Sequence, residues 1–155
     1  MLEIGCSIGM LTELLAGVSD ALVAVDISAA AVDAAARRTE RFGSVQVEQR
    51  DAALGLPDGA FDLIVLSEVG YYFSADGLAE LVRSIPEHLS EDGTVIACHW
   101  RHPVADYPLR GDAVHEVLHA ELPLTPTVEH RERDFVLEVF ERRPRSLAQR
   151  EGLVE

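Results

Sequence analysis

Residues 3–9 read Glu-Ile-Gly-Cys-Ser-Ile-Gly, EIGCSIG, and the reading of that stretch decides the rest. The short stretch Leu2–Ile4, apolar on either side of Glu3, meets two glycines, and Ile8, Leu11, Thr12 and Leu15 then recur at helical spacing as far as Gly17. The order is the tail of a first strand, a tight turn, and a helix over residues 8–16. Glycines in such a turn let backbone approach a ligand and leave helix N-terminal amides aimed at it. The spacing is Gly5-x-x-x-Gly9 behind Glu3, whereas a dinucleotide fingerprint is GxGxxG. That departure disfavours a nicotinamide dehydrogenase.

Working outward, Ala21–Val25 reads as a short buried strand ending at Asp26, and Ser28 as the N-cap of an alanine-rich helix over 29–41. A carboxylate at the end of a second parallel strand stands beside the glycine turn and can accept hydrogen bonds from vicinal ribose hydroxyls. Val45–Glu48 alternates like a strand and leads to Asp51-Ala52, where a carboxylate can take an adenine amino group. The apolar run Leu63–Leu66 follows, then a helix opened by Asp76 with Leu78, Leu81, Val82 and Ile85 on one side, broken or restarted at Pro86. Ser90–Gly93 reads as the turn into a strand over Thr94–Cys98.

Strand and helix alternate to this point, so the fold class is α/β with a mostly parallel sheet. Beyond residue 99 the rhythm changes to a polar and aromatic loop, a helix over 111–122, and a hairpin over 127–133 and 135–142, whose second strand carries the alternating FVLEVFE. Residues 1–143 are expected to form one core. Residues 144–155 form a charged tail expected to fray.

Composition bounds the function. With 155 residues, 48% hydrophobic and 26% charged, the chain suits a single globular domain. Its formal net charge of −14 repels nucleic acid and anionic lipid. Neither a membrane span nor a signal peptide is visible, so a cytoplasmic location is the default. Cys6 and Cys98 are too few for a disulfide framework and lack metal-ligand spacing, so no metal is expected.

In combination, LEIGCSIG, VAVDIS, RDA and FDLIVLSEV resemble the motifs of class I S-adenosylmethionine-dependent methyltransferases. The resemblance implies a Rossmann-like fold of seven strands with the last antiparallel, and S-adenosylmethionine as cofactor. Carried onto this sequence, the cofactor-binding positions are Glu3, Gly5, Cys6, Gly9, Asp26, Ile27, Asp51, Ala52 and Ser67. Ser7 stands where the commoner pattern has glycine. LSEVGYYFS, CHWRHPVADYPLRGDAVH and FVLEVFER more closely resemble nodulation protein S-like methyltransferases. Members of that family known from rhizobia N-methylate the amino sugar of a chitooligosaccharide signal. Such enzymes carry helices ahead of the first strand that cover cofactor and acceptor; this sequence opens on the strand, so those cover helices are expected to be absent.

Methyl transfer from a sulfonium is an in-line displacement in which the protein aligns the reactants and excludes water, and an amine must arrive with a free lone pair. Glu68, past the fourth strand at the sheet's carboxyl edge, suits that task, with Tyr71 and Tyr72 orienting the acceptor or lining a cationic amine's path. His99 is a candidate general base, His102 a weaker one. His115 and His119, four apart on a helix without a third ligand, read as a solvated face. Arg101 and Arg110 either meet the acceptor or pair with surplus carboxylates. The expected partner is a small-molecule acceptor, an amino sugar or similar amine, with self-association left open. A sugar or small-molecule O-methyltransferase and a catalytically inactive cofactor-binding module are the standing alternatives.

Overall fold

In a computed structural model, which describes residues 1–154, seven strands form one sheet. They are β1 (Leu2–Ile4), β2 (Leu22–Asp26), β3 (Val45–Gln49), β4 (Phe61–Ser67), β5 (Leu89–Trp100), β6 (Thr125–Arg131) and β7 (Phe135–Glu141), in spatial order β3-β2-β1-β4-β5-β7-β6. β1 to β5 run parallel, and β7 lies antiparallel between β5 and β6.

β1 consists of three fully buried residues and is the hinge of the topology. Leu2 is in register with Val23 on one side and Ile64 on the other, so the chain leaves β1 toward β2 and later returns to its opposite flank as β4. Strand order therefore reverses beside β1, and in open α/β sheets ligands bind outside the carboxyl ends of the strands at such a point.

Among the described residues five α-helices complete the fold: α1 (Met10–Ala16), α2 (Ala29–Thr39), α3 (Ala75–Ser84), α4 (Gly111–Glu121) and α5 (Leu147–Arg150). α1 packs on α2, and α3 on α4. The Ser28 side chain caps α2 by accepting from the Ala31 amide, and the Ser74 side chain caps α3 by accepting from the Gly77 amide. The larger core cluster joins Leu2, Ile4, Ile64 and Leu66 of the sheet to Leu78 and Val82 of α3, Val114 and Leu118 of α4, and Phe140 of β7. A smaller one gathers Cys6, Ala24 and Ala35.

Three expectations change. Ser90–Gly93 is not a turn before β5 but part of it: Phe61 pairs with Leu89 and Leu63 with Thr94, so the four residues stand as an irregularity in the strand. β6 starts at Thr125 and accommodates Pro126, which an edge strand tolerates, at a register shift against β7. The charged tail, expected to fray, forms the single turn α5, closed by a capping box between Ser146 and Gln149. Its last residue, Glu155, lies outside the described residues. No helix among the described residues is long and apolar enough to cross a membrane.

Candidate active site

The turn after β1 is held by backbone. The amides of Gly5 and Cys6 both donate to the Val25 carbonyl, at 2.8 and 3.0 Å, and the Gly9 amide donates to the Cys6 carbonyl at 2.9 Å. Gly5 and Gly9 take φ of 81° and 80°, and Gly9 is the left-handed N-cap of α1. Ser7, between them, is also left-handed at φ 48°. This explains why glycine is common at its position: serine holds that conformation here at a steric cost, steadied by its amide, which donates to Asp26 Oδ2 at 2.8 Å. The Ser28 amide donates to Asp26 Oδ1 at 2.9 Å. Asp26 thus ties turn to strand, and each of its oxygens retains a further lone pair for a ligand.

Beside this turn, at the carboxyl ends of β1 to β4, opens a cavity of about 870 Å³. Glu3, Gly5, Cys6, Asp26, Ile27, Asp51, Ala52 and Ser67 line it, and so do Glu68, Tyr71 and Tyr72. Gly9 stands one step back, shaping the turn. Glu3 is 2% exposed, and its Oε2 has no hydrogen-bond partner. Burial raises its carboxyl above the usual range, opposed by the Thr12 hydroxyl and reinforced by the charge of Asp26. A buried acceptor left open at a cavity wall is costly unless something fills it. Burial likewise pushes the Cys6 thiol up to about 12, so this wall residue stays protonated and inert. Asp51 Oδ1 accepts from the Ala53 amide at 2.9 Å, which fixes the carboxylate at the end of β3.

The other wall is the segment after β4. Glu68 is left-handed at φ 57°, an unfavourable state for a non-glycine residue by about 1–3 kcal/mol. Three contacts impose it. Its amide donates to the Cys98 carbonyl at 2.9 Å, the Trp100 amide donates to its Oε1 at 2.8 Å, and the Tyr71 hydroxyl donates to its Oε2 in a short bond. Burial, then the Glu68 contact, raises the Tyr71 phenol far above its usual range, so Tyr71 is a fixed donor. Tyr72 is 57% exposed, and its hydroxyl meets that of Tyr107 at 2.8 Å. This contact, with some burial, pushes Tyr72 up to about 12. Tyr71 stacks on Tyr107 with ring centroids 4.8 Å apart. The two sequence-adjacent tyrosines are therefore braced by a third, from the loop before α4. Periodicity gives no signal for Tyr107, because that loop has none.

The structure does not bring His99 to the cavity. Its ring is fully buried, accepts from the Gly70 amide at Nε2, and is held down to about 3 by burial and then by the neighbouring His115. His115 is not on a solvated face either: it is 2% exposed, while only His119 of that pair reaches solvent. His102 pairs with Asp134 at 2.7 Å, and Arg101 grips both carboxylate oxygens of Asp112, at 2.8 and 3.1 Å. Arg110 supplies the N-cap position of α4. Among the described residues, no group of three or more His, Cys, Asp or Glu side chains is arranged to hold a metal ion.

A seven-stranded sheet in this order, with one antiparallel strand and a cleft at the reversal beside β1, is the Rossmann-like methyltransferase fold. Residues 1–117 match the family described as Nodulation protein S (NodS), and the chain belongs to that family. Nodulation protein S of Bradyrhizobium diazoefficiens is 31% identical over 96 residues, 61% of this chain and 46% of the relative. The chain thus spans about half the length of that curated relative. A Pseudomonas syringae protein of known crystal structure is 35% identical, with a TM-score of 0.78 over 91% of this chain and 86% of that one. The N-methyltransferase NodS of Bradyrhizobium japonicum WM9, solved in complex with S-adenosyl-L-homocysteine, is 25% identical, with a TM-score of 0.80 over 90% of this chain and 76% of that one.

Proposed function

We propose that the chain is an S-adenosylmethionine-dependent methyltransferase acting on a small-molecule acceptor, with the amine of an amino sugar as the preferred group. The observation that carries this reading is one cavity with two unlike walls. The Glu3–Asp26–Asp51 wall presents acceptors, one of them unpartnered, and the Glu68–Tyr72 wall presents a carboxylate among aromatic rings. Membership of the NodS family and the S-adenosylhomocysteine complex of its Bradyrhizobium member support it.

When bound, the cofactor supplies an electrophilic methyl on a sulfonium. On this reading, Glu3 Oε2 receives the amino group of the methionyl part, Asp26 the ribose hydroxyls and Asp51 the adenine amino group. The Gly5-Cys6 turn, with Gly9 behind it, Ile27, Ala52 and Ser67 shape the remaining surface. Residues 1–143 make the methyltransferase core, and 144–155 an appended tail. Glu68, which lines the cavity, holds the acceptor amine: two of its lone-pair positions are taken by the Trp100 amide and the Tyr71 hydroxyl, and its carboxylate has further ones to offer. Held by an N–H and turned with its lone pair away from the carboxylate, an amine is set for in-line attack. Aromatic faces from Tyr71 and Tyr72 favour a cationic amine on the way in, and the ammonium passes its extra proton to water before the attack, which frees the lone pair. This carboxylate-and-aromatic wall favours an amine over a neutral hydroxyl.

The Glu68→Gln chain keeps the shape and loses the charge. Methyl transfer to amino-sugar acceptors is expected to fall roughly 100-fold in kcat, with S-adenosylhomocysteine affinity little changed. A wild-type rate would remove Glu68 from the mechanism.

A further inference from the structure

The buried phase of β7 is Val136, Glu138 and Phe140, which sets a carboxylate, 2% exposed, among core side chains. His115 of α4 and His99 of the neighbouring strand β5 continue from it through successive contacts. Glu138 Oε2 meets His115 Nδ1 at 2.5 Å, His115 Nε2 meets His99 Nδ1 at 3.1 Å, and His99 Nε2 meets the Gly70 amide at 3.1 Å. Glu138 Oε1 meets His119 Nε2 at 2.8 Å. Gly70 opens the one-turn 3₁₀ helix Gly70–Tyr72, which carries both cavity tyrosines and follows Glu68.

The direction of every bond is fixed from one end. An amide only donates, so His99 Nε2 must offer its lone pair and the ring proton sits on Nδ1. That proton points at His115 Nε2, which must then also be bare, so the proton of His115 is on Nδ1 and is donated to the carboxylate. One arrangement satisfies all three contacts.

We propose that His99, His115 and Glu138 form a buried relay, with both rings locked as neutral Nδ1–H tautomers, that positions the Gly70–Tyr72 turn against the cavity. His99 is thereby a positioning residue, acting through Gly70 and not on substrate. The relevance to catalysis rests on the reading of Glu68, Tyr71 and Tyr72 as the acceptor wall; the tautomers stand or fall without it. The fit at Gly70 is close, since a Cβ there would lie 2.5 Å from Val114 Cγ1 and 3.0 Å from His99 Nε2.

A proton added to His115 would turn its Nε2 into a donor facing the donor on His99. His99 then has to move its own proton to Nε2, opposite the Gly70 amide, and the turn loses its anchor. The surroundings weigh against that protonation. Burial lowers both rings, while for His115 the Glu138 contact opposes the shift. Tyr71 of the turn lies edge-on to His99, and Glu138 comes from β7. From α4 come His119 and Asp112; the Asp112 charge is engaged by Arg101 of the segment after β5 and Arg131 of β6.

The test is NMR on the full chain with 15N-labelled histidine and glycine, between about pH 8 and pH 5. Long-range proton–nitrogen correlations are expected to show His99 and His115 as neutral Nδ1–H tautomers, with a 15N–15N coupling across the Gly70 to His99 hydrogen bond. An Nε2–H tautomer or an imidazolium for either ring at neutral pH would overturn the proposal. In His99→Leu, amide exchange at residues 70–72 is expected to rise by roughly tenfold, as for a buried amide stripped of its acceptor, while S-adenosylhomocysteine affinity stays within about threefold. His99→Gln, whose amide oxygen can reach the Nε2 position, is expected to restore much of the protection. Equal loss in both variants, or no loss in either, would refute the positioning role. None of these readouts uses an acceptor, so a failed Glu68 assignment would show separately.

Discussion

A Cβ built on Gly5 stands 2.4 Å from Val69 Cγ2, and the residue's φ of 81° is one that other residues rarely hold. Both costs fall on a single substitution, with no flexible side-chain end to give way. Gly5→Ala is expected to lower unfolding free energy by about 2 kcal/mol or more, read from urea titration; a loss within error would mean that Val69 and the turn move freely. Gly5, Gly9 and Asp26 were legible in the sequence because strand-end position and spacing define them before any contact is known. Ser7 was legible only as a departure, since its cost lies in a backbone angle. His99 and His115 were misread for a common physical reason. Their residue type and spacing point to catalysis or to solvent, but their surroundings are set by the Gly70 amide, 29 positions before His99, and by Glu138, 23 positions after His115.

The meeting of β5, α4 and β7 makes a prediction of its own. Folded, His99 takes up a proton only near pH 3; unfolded, its ordinary value is 6.5. Below that value the unfolded chain binds the proton first, so this group's contribution to stability is whole above about pH 6.5 and declines as pH falls toward 3. Glu3, with its raised value, works the other way, since the unfolded chain loses that proton first as pH rises. The two are separable by variant. Between about pH 7 and pH 5, the urea midpoint of His99→Gln is expected to fall less steeply than that of the wild type; parallel slopes would mean that the buried ring is protonated with little penalty. Most elements here were readable from alternation and periodicity, including FVLEVFE as β7. Alternation also places Glu138 in the buried phase, a signal that an acid there needs partners. The irregular opening of β5 was not readable, because Ser-Glu-Asp-Gly has turn chemistry and only pairing with β4 draws it into the strand.

Across the whole molecule, strand order places the two walls on one cavity. β1 carries Glu3 and leads into the glycine turn, β2 ends at Asp26, β3 leads to Asp51, and β4 delivers Glu68, so residues dispersed over the first half of the chain meet at the carboxyl edge. This much follows from a right-handed parallel topology once the strands are placed. Tyr107 and the histidine relay come from the second half, where the rhythm is lost and only tertiary packing brings the loop and α4 onto the turn. The central claim is that this cavity binds the methyl donor through the acid at the end of β2. Titration calorimetry of the 155-residue chain with S-adenosylhomocysteine, beside Asp26→Ala, tests it most directly. The account predicts binding with a Kd on the order of micromolar that the variant loses; a folded wild-type chain that releases no heat of binding, or a variant that binds equally well, would contradict it.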